Sequence, residues 1–263
     1  MDMELDDAYS NGAYIDGADG YPPRWVAEAA VLRASLGERA KLDIPYGDGE
    51  RHKLDLFLPE GKPKGLFVFV HGGYWLLFDK SSWSHLAAGA LAQGWAVAMP
   101  SYDLCPDVSI AEITGQIAAA VTRAAEEVEG PISLAGHSAG GHLVARMLDK
   151  GLLAPEVGER LRTVVPISPL SDLRPLMRTS MNEKFKLDEA AAKAESPILM
   201  QDRYEASVTV WVGADERPSF LDQAQWLADA WSCDQKVDPG KHHFDIIDAL
   251  SDIGSDMVAI LTK

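Results

Sequence analysis

Five short runs of apolar residues constrain the fold of this chain more than any other feature. Each run holds four or five residues, all of them apolar except Ser133 and Thr209. Such runs are typical of strands covered on both faces and therefore of a parallel sheet. The runs lie at residues 66–70, 95–99, 132–135, 164–167 and 208–212. Segments with helical patterns follow them, at residues 82–93, 110–128, 140–150, 220–232 and 255–262. This alternation predicts right-handed βαβ units with helices on both faces of a mostly parallel sheet.

The first 40 residues have a different character. Residues 1–20 are polar and rich in glycine, and a helix is predicted from Pro22 to Leu36, with proline at its start and Gly37 after its end. Alternating leucines on either side of a Gly-Asp-Gly turn at residues 47–49 then predict an antiparallel hairpin. We therefore expect an N-terminal arm and helix over residues 1–40 and one α/β domain over residues 41–263.

One connection is longer than usual for such a domain. Residues 170–204 separate two predicted strands, and long insertions of this kind are usually functional. We interpret this segment as a lid over the active site.

Composition excludes several kinds of partner. The chain has 263 residues with 24 Lys and Arg against 40 Asp and Glu, a formal net charge of −16. This charge repels phosphate backbones and anionic lipids, so we expect neither nucleic-acid nor membrane partners. No apolar run approaches the roughly 20 residues of a membrane span, and the acidic N-terminus is unlike a signal peptide, so a cytoplasmic location is expected. Cys105 and Cys233 are expected to be free thiols. A homodimer is left open.

A catalytic serine is indicated at Ser138. The sequence GHSAG at residues 136–140 follows a predicted strand directly and precedes a predicted helix. Strand, tight turn and helix form the context of a nucleophile elbow, in which glycines allow the close backbone approach that exposes the serine hydroxyl.

A serine nucleophile needs a base and an orienting carboxylate, which follow it in the order acid and then histidine. Asp215 comes directly after the predicted strand at 208–212, at the strand end where open α/β sheets carry their sites. His242 and His243 are the histidines that follow this aspartate. Asp172 also follows a strand and is an alternative acid, although an exposed loop carboxylate or a lid anchor is the simpler interpretation.

An oxyanion hole is predicted from two places in the chain. Gly72 and Gly73 follow the buried strand at 66–70, where the HGGG-type element of esterases occurs, and the amide of Ala139 follows the nucleophile. Aromatic residues follow the first of these segments and either line an apolar substrate pocket or belong to the core. They are Tyr74, Trp75, Phe78 and Trp83.

Three motifs together carry a family resemblance. They are HGGYW at residues 71–75, GHSAGGHL at 136–143 and HFDI at 243–246. In this order and spacing they resemble the kynurenine formamidase (arylformamidase) branch of the α/β-hydrolases, close to the hormone-sensitive-lipase-like esterases. The likeness extends from about residue 42 to the C-terminus. Tyr74 stands where the family has the third glycine of its loop, and His242 is an additional histidine.

The resemblance implies an α/β-hydrolase fold and a serine hydrolase that needs no cofactor and acts on small acyl or formyl groups. It assigns Ser138 as nucleophile, Asp215 as acid and His243 as base. We expect Tyr74, Trp75 and His137, which lie in these motifs, to contact substrate.

His242, His243 and Asp245 do not suggest a metal site, because adjacent residues on an extended segment point to opposite sides. The leading prediction is a carboxylesterase or arylformamidase-like enzyme that cleaves a small ester or amide through an acyl-enzyme. A thioesterase, or a non-catalytic ligand-binding protein of the same fold, is the alternative.

Overall fold

Eight strands form one sheet in the computed structural model, which describes residues 3–263. The sheet order is β1-β2-β4-β3-β5-β6-β7-β8. The strands are β1 Ala40–Pro45, β2 Lys53–Phe57, β3 Leu66–Val70, β4 Ala96–Pro100, β5 Ile132–His137, β6 Leu161–Ile167, β7 Ser207–Gly213 and β8 Asp234–Asp238. Strand β2 is antiparallel to both of its neighbours, β1 and β4. The six strands β3 to β8 are mutually parallel. The predicted fold class, including the N-terminal antiparallel hairpin, is confirmed.

Nine α-helices flank the sheet within the described residues. They are α1 Tyr21–Leu36, α2 Ala88–Ala92, α3 Ile110–Glu127, α4 Ala139–Arg146, α5 Pro155–Gly158, α6 Asn182–Phe185, α7 Glu189–Ala194, α8 Pro218–Trp231 and α9 Asp256–Leu261. The helix predicted at 82–93 is only partly α-helical, because residues Ser84–Ala87 form a 3-10 helix ahead of α2. Among residues 3–263, the helices are too short or too polar to cross a bilayer.

The core has two halves, one on each face of the sheet. Side chains of β3 alternate between them: Leu66 and Val68 face one half, and Phe67 and Phe69 face the other. Helices α3, α4 and α8 cover the first face, while α1, α2 and α9 cover the second. Because successive strand residues point to opposite faces, an apolar run is what this double coverage requires. Because β3, β5, β6 and β7 are parallel neighbours, their carboxyl ends meet at one edge of the sheet.

Candidate active site

Ser138 lies in the turn between β5 and α4, in a conformation that few residues other than glycine adopt. Its φ is 56° and its ψ is −115°, and its N–H donates to the carbonyl of Ile167 at 2.8 Å. Glycines allow the chain to close around it: a Cβ on Gly136 would lie 2.1 Å from the Gly140 carbonyl oxygen, and one on Gly140 would lie 2.0 Å from that of Val70. The strand, tight turn and helix that the sequence predicts around Ser138 are therefore present.

The carboxylate that contacts the histidine is Glu216, and the prediction of Asp215 is wrong. Glu216 Oε2 lies 2.6 Å from His243 Nδ1, and the Glu216 side chain is completely buried. Asp215 is exposed, and its backbone N–H donates to the Lys241 carbonyl at 2.9 Å. The turn after Gly213 directs Asp215 outward and the next residue inward.

The second oxygen of Glu216 is also satisfied. Its Oε1 accepts from the N–H of Gly213 at 3.0 Å and from the hydroxyl of Ser168, which follows β6. A buried carboxylate is costly unless hydrogen bonds compensate for its lost hydration. Three donors around Glu216 provide that compensation and hold the carboxylate in a fixed orientation.

His243 and His242 have separate surroundings. The ring of His243 packs against His137 and Phe220, with centroid distances of 4.5 and 4.4 Å. His242 instead lies 3.1 Å from the Tyr21 hydroxyl through Nε2 and 3.2 Å from an oxygen of Asp245 through Nδ1. The structure thus brings His243, and not His242, to the buried carboxylate.

His137 is a neutral partner of this histidine. Burial, followed by the neighbouring His243, lowers the pKa of His137 well below its ordinary value. Its Nε2 is buried and has no hydrogen-bond partner among the described residues. His137 lines the same pocket as Ser138, and its predicted contact with substrate stays a prediction.

Ser138 and His243 open into a cavity of about 310 Å³. The wall contains Gly72, Gly73 and His137 together with aromatic and aliphatic side chains. These apolar residues are Pro22, Trp25, Tyr74, Leu77, Phe78, Trp83 and Phe244. The cavity suits a small ligand with an apolar or flat part.

The loop after β3 runs beside the nucleophile. A Cβ on Gly72 would lie only 3.1 Å from the Cβ of Ser138, so glycine is what permits this approach. His71 at the start of the loop is stacked on Tyr102 with ring centroids 4.3 Å apart, and burial lowers the pKa of His71 to about 4. Gly73 follows with a φ of 104°.

Tyr74 and Trp75, both predicted to contact substrate, lie in different surroundings. Tyr74 lines the cavity, and its hydroxyl donates to the carbonyl of Tyr9 at 2.6 Å. Trp75 is wholly buried away from the cavity, edge-on to His142 and Phe185. The structure therefore places Trp75, predicted to contact substrate, in the core and outside the cavity wall.

The N-terminal arm, rather than the 170–204 insertion, covers the cavity. Residues 9–12 form part of the cavity wall, and no wall residue of the described chain belongs to 170–204. The insertion holds the arm instead: Leu5 N–H donates to the Arg178 carbonyl at 3.2 Å, and Ser180 N–H donates to an oxygen of Asp6 at 2.6 Å. Asp172, the alternative acid, is paired with Arg174 at 2.7 Å.

Residues 3–263 contain no group of three His, Cys, Asp or Glu side chains that could hold a metal ion.

Comparison with known proteins identifies the family. A sequence profile described as the alpha/beta hydrolase fold matches residues 67–230. A kynurenine formamidase of Danio rerio is 28% identical over 271 aligned residues, which cover 92% of each chain. A kynurenine formamidase of Drosophila melanogaster is 30% identical over 241 residues, covering 83% of this chain and 79% of the relative.

One protein with a solved crystal structure is much more similar in sequence to this chain. It is provisionally described as a thioesterase from Silicibacter sp. TM1040, and it is 68% identical, with a TM-score of 0.99 over 99% of this chain and 100% of its own. The chain belongs to the α/β-hydrolase family, in the part of it that includes the kynurenine formamidases.

Proposed function

We propose that the protein is a serine hydrolase that cleaves a small ester or amide through an acyl-enzyme, with Ser138, His243 and Glu216 as its triad. The observation that carries this proposal is the buried 2.6 Å contact between His243 and Glu216, beside a serine in a strained strand-to-helix turn. A buried charge and a strained backbone both cost stability, so packing alone does not account for this arrangement.

The triad divides the chemistry among three side chains. Glu216 accepts a hydrogen bond from the Nδ1–H of His243, which leaves Nε2 of that ring free to take the proton of the Ser138 hydroxyl. The serine oxygen attacks the substrate carbonyl, and the protonated imidazole then donates to the leaving group. Glu216 stabilises the imidazolium that forms, and the hydrogen bonds from Gly213 and Ser168 hold its other oxygen in place.

Backbone amides supply the oxyanion hole in this proposal. The amide of Ala139 begins α4, and the loop of Gly72 and Gly73 passes beside the nucleophile. Each donor that is aimed at the developing oxyanion can lower the barrier by about 3 kcal/mol.

The cavity favours a small acyl group and a flat leaving group. Its volume of about 310 Å³ and its aromatic wall leave room for an acetyl or formyl group next to an aromatic ring. N-formylkynurenine is the candidate supported by the kynurenine formamidase relatives. A short-chain thioester is the second candidate, because a protein that shares 68% of its residues is described provisionally as a thioesterase.

A substrate comparison tests the proposal. Purified protein and its Ser138→Ala variant are assayed with p-nitrophenyl acetate, N-formylkynurenine and acetylthiocholine. We expect the protein to hydrolyse p-nitrophenyl acetate with a burst of nitrophenol and the variant to be inactive. The relative kcat/KM values for the other two substrates then select amide or thioester. Equal rates with protein and variant would refute the proposal.

The neighbouring histidines form a matched pair for the base. His243→Ala should lower kcat by orders of magnitude, whereas His242→Ala should lower it only a few-fold, since His242 contacts Tyr21 and Asp245. The reverse ranking would contradict the assignment of the base.

A further inference from the structure

The N-terminal arm is fixed where it forms the wall of the cavity. The Tyr9 carbonyl accepts from the Tyr74 hydroxyl at 2.6 Å, and the Tyr9 hydroxyl accepts from Gln223 Nε2 at 3.0 Å. Arg217 pairs with Asp7 at 2.7 Å. Contacts from the loop after β3 and from the N-cap and N-terminal half of α8 therefore hold this segment in register along the cavity.

Asn11 is a polar side chain of this wall with unused hydrogen-bonding capacity. The residue is 7% exposed and lines the cavity that contains Ser138 and His243. Its backbone carbonyl accepts from the N–H of Tyr14 at 3.0 Å, but its side-chain Oδ1 is buried and has no partner among the described residues. A buried acceptor without a partner costs about 1–3 kcal/mol, so one is expected to be satisfied in the functional state.

The surroundings of Asn11 indicate where that partner comes from. A Cβ added to the next residue, Gly12, would lie 3.9 Å from the ring of Phe244, so the arm runs directly along the aromatic wall. Trp25 and Phe78 belong to the same wall, with rings 6.2 Å apart. An aromatic group bound against these rings would occupy the cavity that Asn11 lines.

We propose that Asn11 is a specificity-determining residue, whose Oδ1 accepts a hydrogen bond from an N–H or O–H group on the aromatic part of the substrate. This inference rests on the proposed function and narrows its substrate class to aryl esters or amides that carry a hydrogen-bond donor besides the scissile bond. A site that provides an acceptor discriminates against an analogue that lacks the donor, because the acceptor is then left buried and unpaired.

The experiment compares four acetate esters of similar shape. Phenyl acetate carries no donor, meta- and para-aminophenyl acetate each carry an amino group, and meta-acetylphenyl acetate carries only an acceptor. For each ester, kcat/KM of a variant is divided by that of the unaltered protein, which cancels the intrinsic reactivity of the leaving group.

The variants separate hydrogen bonding from packing. Asn11→Leu removes the acceptor, and we expect it to lower kcat/KM for at least one aminophenyl ester by roughly tenfold more than for phenyl acetate. Asn11→Asp keeps an acceptor of the same shape, and should retain the preference for the amino group. Asn11→Ala replaces Asn11→Leu if the larger side chain prevents folding, as judged by thermal denaturation.

A control variant addresses the arm itself. Asp7→Asn weakens the contact with Arg217 and replaces no residue of the cavity wall, so any displacement of the arm should alter kcat/KM for all the esters alike.

The outcomes are distinct. Equal effects of Asn11→Leu on all the esters, or a selective loss with the acetyl-substituted ester, would overturn the role of Asn11 while leaving the hydrolase proposal intact. No hydrolysis of any ester by the unaltered protein would instead refute the proposed function.

Discussion

Replacing Glu216 by glutamine perturbs the site with little change in volume. The amide oxygen can still accept from the N–H of Gly213 and the hydroxyl of Ser168, so the turn should persist. Towards His243, however, an N–H group now replaces the carboxylate oxygen that lies 2.6 Å from Nδ1. The ring must then accept at Nδ1 and carry its proton on Nε2, the atom that has to receive the proton of Ser138.

The expected loss follows from this change of tautomer. An aspartate-to-asparagine change at the equivalent position of a serine protease lowers kcat by about 10⁴. Transferred to Glu216→Gln, this corresponds to a barrier increase of about 5 kcal/mol. Asp215→Asn, one residue away and exposed, is the matched control and should change kcat by less than about threefold.

Steady-state kinetics with p-nitrophenyl acetate measures both variants, and circular dichroism melting confirms that each is folded. The reasoning fails if Glu216→Gln retains kcat within tenfold, or if Asp215→Asn is equally impaired.

Three further predictions concern stability and the arm. Ser138→Gly should be inactive yet more stable by roughly 1 kcal/mol, raising the melting temperature by about 2–4 °C, because glycine relieves the strain of a φ of 56°. Tyr74→Phe leaves the Tyr9 carbonyl without its 2.6 Å donor, and should raise KM with little change in kcat in steady-state assays. Burial lowers the pKa of His142 to about 3. Below about pH 6.5 the unfolded chain therefore binds a proton at this histidine that the folded chain does not bind. The free energy of unfolding that depends on His142 is fully present above about pH 6.5 and declines as the pH falls towards 3. Urea unfolding at about pH 7 and about pH 5 should therefore show a smaller decline for His142→Gln.

The sequence predicts the central sheet well because strands that are buried on both faces consist mostly of apolar residues. The strand at Leu66–Val70 is predicted with its observed bounds, whereas β6 begins at Leu161, three residues before the predicted run. Exposed Arg162 interrupts the apolar pattern there. Strand β8, Asp234–Asp238, is missing from the prediction because an edge strand with a largely exposed, charged sequence carries no such signal.

The candidate site is less completely predicted. Ser138 and His243 are recognisable because glycines and motif order surround them, but adjacent carboxylates at 215 and 216 satisfy the order equally well. Which of them turns inward depends on a backbone hydrogen bond to Lys241, a residue 26 positions after Asp215, and local pattern does not encode that contact. Glu216 is distinguished by its buried side chain and its hydrogen bond from Ser168, and only the folded structure shows these features.

The covering of the cavity is also a property of tertiary structure. The polar, glycine-rich composition of residues 1–20 predicts an arm but not its place, and the length of the 170–204 segment suggests a lid. In the structure the segment anchors the arm through Arg178 and Ser180, and the arm supplies the wall.

Covalent labelling tests the central claim most directly. The protein is treated with a fluorophosphonate, its intact mass is measured, and the modified peptide is sequenced by mass spectrometry. The proposed triad predicts a single adduct on Ser138, formed quickly by the unaltered protein, much more slowly by Glu216→Gln and not at all by Ser138→Ala. An unlabelled protein, or an adduct on any other residue, would contradict the assignment of Ser138 as the nucleophile.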